Sequence, residues 1–582
     1  MPFSKPAREQ LLFYLKQLYA AEADACLAQI TAMARRRRSL PADPKAELWD
    51  EQDVVLITYG DQIRAPDSAP LQALQAFLNS TWLNDAISTV HLLPFFPYSS
   101  DDGFSVIDFR EVDANLGTWE DVDALGKEFG LMFDLVLNHC SSQSQWFQSY
   151  LRQESPYSGY FIEADASEDL SSVTRPRSLP LLTSFETARG PRNVWTTFSD
   201  DQVDLNFANP QVLVEMLDIL LFYVEQGARI IRLDAIAYLW KRIGTSCIHL
   251  AETHTVVKLL RLVLDELAPG TIVLTETNVP HDQNVSYFGD NDEAHMVYQF
   301  SLAPLLLDAF LTADAGPLNR WLFELEPARP GTTYFNFTAS HDGVGVRPLE
   351  GLVPRERLER LVEAVRNRGG HVSTKQNADG SQSPYELNIS YFSALGASRE
   401  PADAAASLSR EFHVRRFLSA QSIMLALRGI PGIYFHSLVG TPNNTAGVAE
   451  TGRARTINRR KFQAGELNAI LEPNDSPESL VFDGYRKLIT TRIRQRAFHP
   501  DAEQTPVDVD REKVIAFLRS SVDGEQQILV LANVSPQPVT IDLSRFAEIR
   551  FAQNLLDEKP IVGSSFELEP YASAWLSTDN AS

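Results

Sequence analysis

Eight short apolar runs, each followed by residues at helical spacing, limit what this chain can fold into more than any other feature: "VVLITYG", "ISTVHLLPF", "LMFDLVLNH", "ARIIRLDAI", "TIVLTETN", "HMVYQFS", "TYFNFTASH" and "GIPGIYFHS". Runs this apolar need cover on both faces, as strands of a parallel sheet have, and eight strand–helix units are what a closed (β/α)8 barrel requires. With 582 residues and 44% apolar content the chain can bury such a core and still carry two or three packed units.

The intervals between the runs set the expected layout. Leu11, Leu15 and Leu18, then Leu27, Ile30 and Met33, recur at helical spacing and predict two amphipathic helices in an N-terminal extension, residues 1–50. Nearly ninety residues separate "LVLNH" from "ARIIRL", too many for an ordinary loop, so residues 140–205 are expected to form an inserted B subdomain. The barrel would then comprise 51–139 and 206–504. Its second long interval holds "RGGHVSTKQNADGSQSPYE", whose Gly, Asn, Asp and Ser content predicts a loop over the barrel mouth. From 505 to 582, short runs such as "VIAFLRSS" and "QILVLANVS" divided by turn residues predict an antiparallel C-terminal β-domain.

A net charge of −24 argues against nucleic acid or an anionic membrane surface as a partner, because phosphates would be repelled. The basic run "ARRRRS" follows a helical segment and is expected to be a solvated helix end. No apolar run of 18 residues and no secretory leader pattern is present, and the three cysteines have no metal-like spacing, so a cytoplasmic protein without structural metal or disulfides is expected.

Polar residues gather where four of the runs end: Asn138 and His139, Arg232 and Asp234, Glu276, and His341 with Asp342. Barrel strands converge at that face, where active sites lie. An Arg-x-Asp pair alone is more often structural, and "TETN" alone can be a helix cap; the coincidence across four ends points to chemistry. Three carboxylates from different strands suit glycosyl transfer, in which one attacks the anomeric carbon and another protonates the leaving oxygen. Arg232 lies two residues before Asp234, on the same face of a strand, and is expected to keep Asp234 charged. Glu276 needs the opposite treatment, a raised pKa.

"DLVLNH", "ARIIRLDAIAY", "TETN" and "ASHDG" resemble, in order, the four signature regions of the α-amylase superfamily, glycoside hydrolase family 13. That resemblance implies a (β/α)8 TIM barrel with an inserted B subdomain and a C-terminal antiparallel β-domain. It also implies Asp234 as nucleophile, Glu276 as acid/base, Asp342 as transition-state stabiliser, and His139, Arg232 and His341 as sugar-binding residues. "HLLPFFPYSSDDGF", "VWTTFSDDQVDLNF", "GTSCIHL" and "RTINRRKF" are similar to the sucrose phosphorylase branch, from about residue 50 to 500. The branch implies that Asp101 and Arg455 grip the far side of one glucose unit, that Phe104 and Phe198 are its apolar walls, and that Arg177 and Tyr385 serve phosphate and the acceptor.

Three features depart from sucrose phosphorylases: the N-terminal helices, the longer "HVSTKQNADGSQSPYELNIS" segment, and Glu386 where that branch tends to carry Gln. The pattern looks closer to the glucosylglycerate phosphorylases, which implies a retaining transfer of glucose from a small α-glucoside to phosphate, giving α-D-glucose 1-phosphate and D-glycerate. Arg177 and Lys375 are then candidates for the glycerate carboxylate. Sucrose, sucrose 6′-phosphate or glucosylglycerol phosphorolysis, then α-glucoside hydrolysis, are the alternatives. A non-catalytic amylase-like scaffold is disfavoured because all three carboxylates and Arg232 are present. No cofactor is expected; family amylases often bind calcium partly through the residue matching Asn138, but phosphorylase-like members do without it. A monomer or homodimer is expected.

Overall fold

A computed structural model gives the fold and describes residues 2–37, 40, 48–165, 167–176, 179–326, 329–376, 381–397, 409–472, 475–510, 512–546 and 548–578. The eight apolar runs are its eight barrel strands: β1 (Val55–Thr58), β2 (Thr89–Leu92), β3 (Gly130–Leu135), β4 (Ala228–Leu233), β5 (Ile272–Thr275), β6 (Met296–Tyr298), β7 (Thr333–Phe337) and β8 (Ile430–Tyr434). Each pairs in parallel with its sequence neighbours, and β8 closes on β1. Nearly every strand residue is buried, because side chains fill the barrel on one face and meet the surrounding helices on the other.

Two helices precede the barrel, α1 (Lys5–Tyr19) and α2 (Ala23–Arg36). Ser4 caps α1 from its side chain, and its backbone N–H reaches Glu266 at 2.7 Å. Leu11, Leu15, Leu27, Ile30 and Met33 are buried in the same core as the barrel, against helices Ala251–Leu267 and Pro210–Glu225. In the basic run Arg35 and Arg36 are exposed, while Arg37, just past α2, is only 16% exposed and pairs with Asp218 at 2.8 Å and with Glu225. Two acidic side chains on the packing helix draw it in.

Between β3 and β4, His139–Ser141 pairs antiparallel with Gln202–Asp204, and Leu182–Thr187 pairs with Gly190–Trp195. The stretch expected to be a loop over the mouth is instead partly a hairpin, His371–Gln376 with Gln382–Asn388, joined by Val344–Gly345 into a separate three-stranded sheet. The turn-forming residues that dominated its composition, 377–380, lie outside the described residues, while their flanks supply ordinary strand side chains. After the barrel, a six-stranded antiparallel sheet runs from Glu503–Pro506 to Ser573–Ser577. Fully buried Arg519 of this sheet donates to the backbone carbonyl of Ala426 at 2.7 Å, fastening the sheet to the barrel. Among the described residues no helix is long and apolar enough to cross a membrane.

Candidate active site

Strand register explains why opposite charges end a buried run. Asp134 of β3 stands beside Arg232 of β4 in the parallel ladder, so both side chains enter the barrel at the same level. The Arg232 guanidinium pairs with Asp134, and the same nitrogen, Nη1, donates to Asp234 Oδ1 at 2.7 Å. Its Nε donates to the Tyr298 hydroxyl at 3.1 Å, and Nη2 lies 3.9 Å from Glu276 Oε2. One buried guanidinium thus serves three carboxylates. Asp234 and Glu276 each sit one residue beyond a strand, and their backbone N–H groups continue the ladder to Leu135 and Leu233.

Asp234, Glu276 and Asp342 line one cavity of about 840 Å³, counting its open mouth. Asp101, Phe104, His139, Phe198, His341, Tyr385 and Arg455 line it with them. Phe104 stacks on His341 at 4.6 Å and 7°, and Phe198 meets His139 at 5.3 Å, so apolar faces flank the carboxylates. Arg455 spans one rim: it reaches Asp342 at 2.6 Å, Glu386 at 3.0 Å and Asp101 at 3.9 Å. Arg232 stands behind the wall rather than in it, against Asp234. Arg177 lies outside the described residues. Lys375 is a correction: it pairs with partly exposed Glu350 at 3.2 Å and is not among the cavity's lining residues.

Several further residues shape the cavity. Gln202, Asn278 and Glu386 line the cavity, and Glu386, 3% exposed, accepts from the Gly343 N–H at 2.7 Å. Arg459 donates from Nε to the His341 carbonyl at 2.7 Å and pairs with Asp102. Asp134, Gln202 and Arg459 all fall inside stretches quoted above, so the motifs contained them; their roles depend on which way the chain turns.

Electrostatics sort the three acids. Burial would raise Asp342, but Arg455, His341, Arg459 and Arg232 hold it far below the usual carboxylate range. Burial also pushes His341 down to about 3, leaving a neutral ring. Asp234 and Glu276 are both raised, first by burial; the charges of Glu276 and Asp134 add to the rise at Asp234, and those of Asp342 and Asp134 to the rise at Glu276. Asp234 is pushed up to about 8, since burial with Glu276 and Asp134 outweighs Arg232. The expectation that Arg232 keeps Asp234 charged therefore needs amending: burial and the neighbouring acids raise Asp234 against the pull of the arginine. Arg232 lies closer to Asp234 than to Glu276, so Coulomb attraction favours the form with the proton on Glu276 and the charge on Asp234.

A pH dependence follows. The folded pair binds a proton that the unfolded chain has released above its ordinary carboxyl range, so its contribution to stability is present at low pH and lost as pH rises toward about 8. The denaturation midpoint of wild type, relative to Asp234→Asn, should fall between pH about 5 and about 8. A difference that stays flat across that interval contradicts the raise.

The ground near Asn138, where a divalent cation is familiar in amylases, is taken by an ammonium. Lys241 Nζ donates to Asn138 Oδ1 at 2.7 Å and pairs with Asp204, which also accepts from Asn138 and from the Thr197 hydroxyl. Among the described residues no group of three or more His, Cys, Asp or Glu is placed to hold a metal, so this donor set does not fit such an ion. Lys241 and Asp204 are 2% and 0% exposed. Lys241→Met leaves Asp204 charged and unpaired in the interior, and unfolding measured in urea should show a loss of about 3–5 kcal/mol. A change below about 1 kcal/mol would mean the pair adds no more than a surface bridge.

The description "Alpha amylase, catalytic domain" matches residues 84–315, and "Maltogenic Amylase, C-terminal domain" matches 505–575. The chain is 51% identical over 487 residues to the glucosylglycerate phosphorylase of Spirochaeta thermophila, spanning 84% of this chain and 81% of that protein. It is 42% identical to the glucosylglycerate phosphorylase of Escherichia coli, over 98% of this chain and 100% of that one. Among solved structures, sucrose 6F-phosphate phosphorylase from Thermoanaerobacter thermosaccharolyticum superposes with a TM-score of 0.70 at 26% identity, covering 83% of this chain and 94% of that one.

Proposed function

The chain belongs to the α-amylase family, with glucosylglycerate phosphorylases among its relatives, and on that footing we propose that it is a retaining phosphorylase of glucosylglycerate, transferring glucose to phosphate. The observation that carries this is one cavity in which carboxylates from the ends of β4, β5 and β7 meet beneath a rim closed by Arg455 and Asp101. A rim of that kind suits a single glucosyl unit rather than a longer glucan.

In the proposed course, Asp234 attacks the anomeric carbon as Glu276 gives its proton to the departing glycerate oxygen, and the C–O bond breaks. Loss of that proton changes the pair from one negative charge to a neutral glucosyl ester beside a Glu276 carboxylate, so the total charge near Arg232 is conserved. Phosphate then attacks the same carbon from the face glycerate left, its hydroxyl proton passes to Glu276, and the ester bond to Asp234 breaks. The two inversions give glucose 1-phosphate with the α configuration. Asp342, already ionised by its cations, offsets positive charge developing on the ring.

The acceptor side must receive two anions in turn. Glu386 does not oppose them as a bare charge, because Arg455 and the Gly343 N–H already occupy its carboxylate. Arg177, by its resemblance, is the cation proposed for phosphate. The three cysteines are free and buried, which suits the reducing cytoplasm proposed for the enzyme.

The test incubates the protein with excess phosphate and, in parallel, glucosylglycerate, glucosylglycerol, sucrose and sucrose 6′-phosphate. Glucose 1-phosphate and D-glycerate from the first, at the highest kcat/KM of the four, is the expected result. Free glucose as the main product would sink the phosphorylase assignment, and a higher kcat/KM on another donor would sink the choice of glycerate.

A further inference from the structure

The segment that brings Asp101 to the cavity is a strained turn. Asp101 and Asp102 have φ of 51° and 50°, and Gly103 follows at 113°, three consecutive residues in the left-handed half of backbone space. Only the third is a glycine, and it must be, since a Cβ there would stand 2.4 Å from the Pro94 carbonyl oxygen. Two aspartates in this conformation persist only where the surroundings hold them.

One hold is Arg459 on the Asp102 carboxylate. The other is Asp201, on the inserted segment just before strand Gln202–Asp204. Its Oδ2 accepts hydroxyl hydrogen bonds from Ser99, Ser100 and Ser105, the residues that bracket the turn on both sides. Its Oδ1 accepts from Ser142, immediately after His139–Ser141, at 2.6 Å. Its backbone carbonyl accepts from Ser105 Oγ at 3.1 Å and from the Ser142 N–H at 2.9 Å. Among the described residues no cation pairs with this carboxylate, and burial would raise it, yet the hydroxyls bring it below its ordinary range. One partly buried anion therefore joins three pieces of chain: the strained turn, the strand carrying His139, and the strand carrying Gln202, all of which reach the cavity.

We infer that Asp201 is a positioning residue for the glucosyl unit: it fixes the Asp101–Gly103 turn against the inserted segment in the shape that grips the sugar. It touches no reacting atom in this scheme and acts through Asp101 and Gln202. The inference rests on the cavity being a glucosyl pocket, as proposed above.

The test compares wild type with Asp201→Ala, Asp201→Asn and the double variant Ser99→Ala/Ser100→Ala. For Asp201→Ala, KM for glucosylglycerate and for glucose 1-phosphate should rise about tenfold, equivalent to about 1.4 kcal/mol. KM for phosphate should stay within about twofold, because phosphate is held by other residues. Asp201→Asn keeps one acceptor oxygen and should fall between the two. Titration calorimetry with D-glucose gives an arm independent of turnover, in which Kd weakens by the same factor. A purely structural role predicts fewer active molecules with unchanged KM and unchanged glucose Kd, and that result overturns the inference. If Asp201→Ala does not fold, the serine double variant must show the rise in KM, and unchanged values there overturn it equally. Absence of phosphorolysis by wild type, with glucose binding intact and weakened in the variants, would instead sink the functional assignment alone.

Discussion

Asparagine at position 234 is expected to lower phosphorolytic turnover by about 10⁴-fold or more, with little loss of fold. The amide keeps the shape of the carboxyl but cannot form the glucosyl ester, and Arg232 retains Asp134 as its buried partner. Removing an acid that burial raises also spares the folded chain the cost of a buried charge, so thermal stability near neutral pH should be equal or higher. Steady-state release of glucose 1-phosphate and a melting curve on the same sample suffice. Activity within about a hundredfold of wild type would remove Asp234 from the centre of the mechanism, since loss of a true nucleophile costs well more than that.

Glutamine at position 276 is expected to behave differently with different donors. With glucosylglycerate, whose alkoxide is a poor leaving group, turnover should fall by about 10²–10⁴-fold. With α-glucosyl fluoride, which departs without a proton, formation of the ester should stay within about tenfold of wild type. The variant at Asp234 should fail with both donors, which separates nucleophile from acid in one experiment. The wild-type enzyme should also lose kcat/KM on glucosylglycerate as pH rises through the raised range in which Glu276 gives up its proton. A Glu276→Gln variant equally impaired on both donors would assign Glu276 a role other than proton donor.

The barrel and the carboxylate-bearing strand ends were legible in the sequence for a physical reason. A parallel strand buried on both faces must be written in apolar residues, and a charge at its end stands out against them, as Arg232 and Asp234 do after "ARII". Glu276 and His341 were found the same way. Gln202 and Arg459 were not, because their effect comes from chain turns that no periodicity reports. The hairpin of His371–Gln376 and Gln382–Asn388 reads as loop in the sequence because turn formers weigh heavily in composition, while its strand residues, such as Thr374 and Tyr385, are individually ordinary. Lys375 drew attention by its charge alone, and Glu350 claimed it. The proton balance of Asp234 was missed for a related reason: sequence shows the neighbouring arginine but not the neighbouring acids that burial brings alongside.

Among the described residues that hairpin pairs with Val344–Gly345 and with no barrel strand, yet it delivers Tyr385 and Glu386 to the cavity. On the proposed reading, donor recognition rests on the barrel and acceptor choice on this separate segment of the chain. A lineage, or an engineer, can exchange this appendage to admit a new alcohol while the ester-forming floor stays as it is.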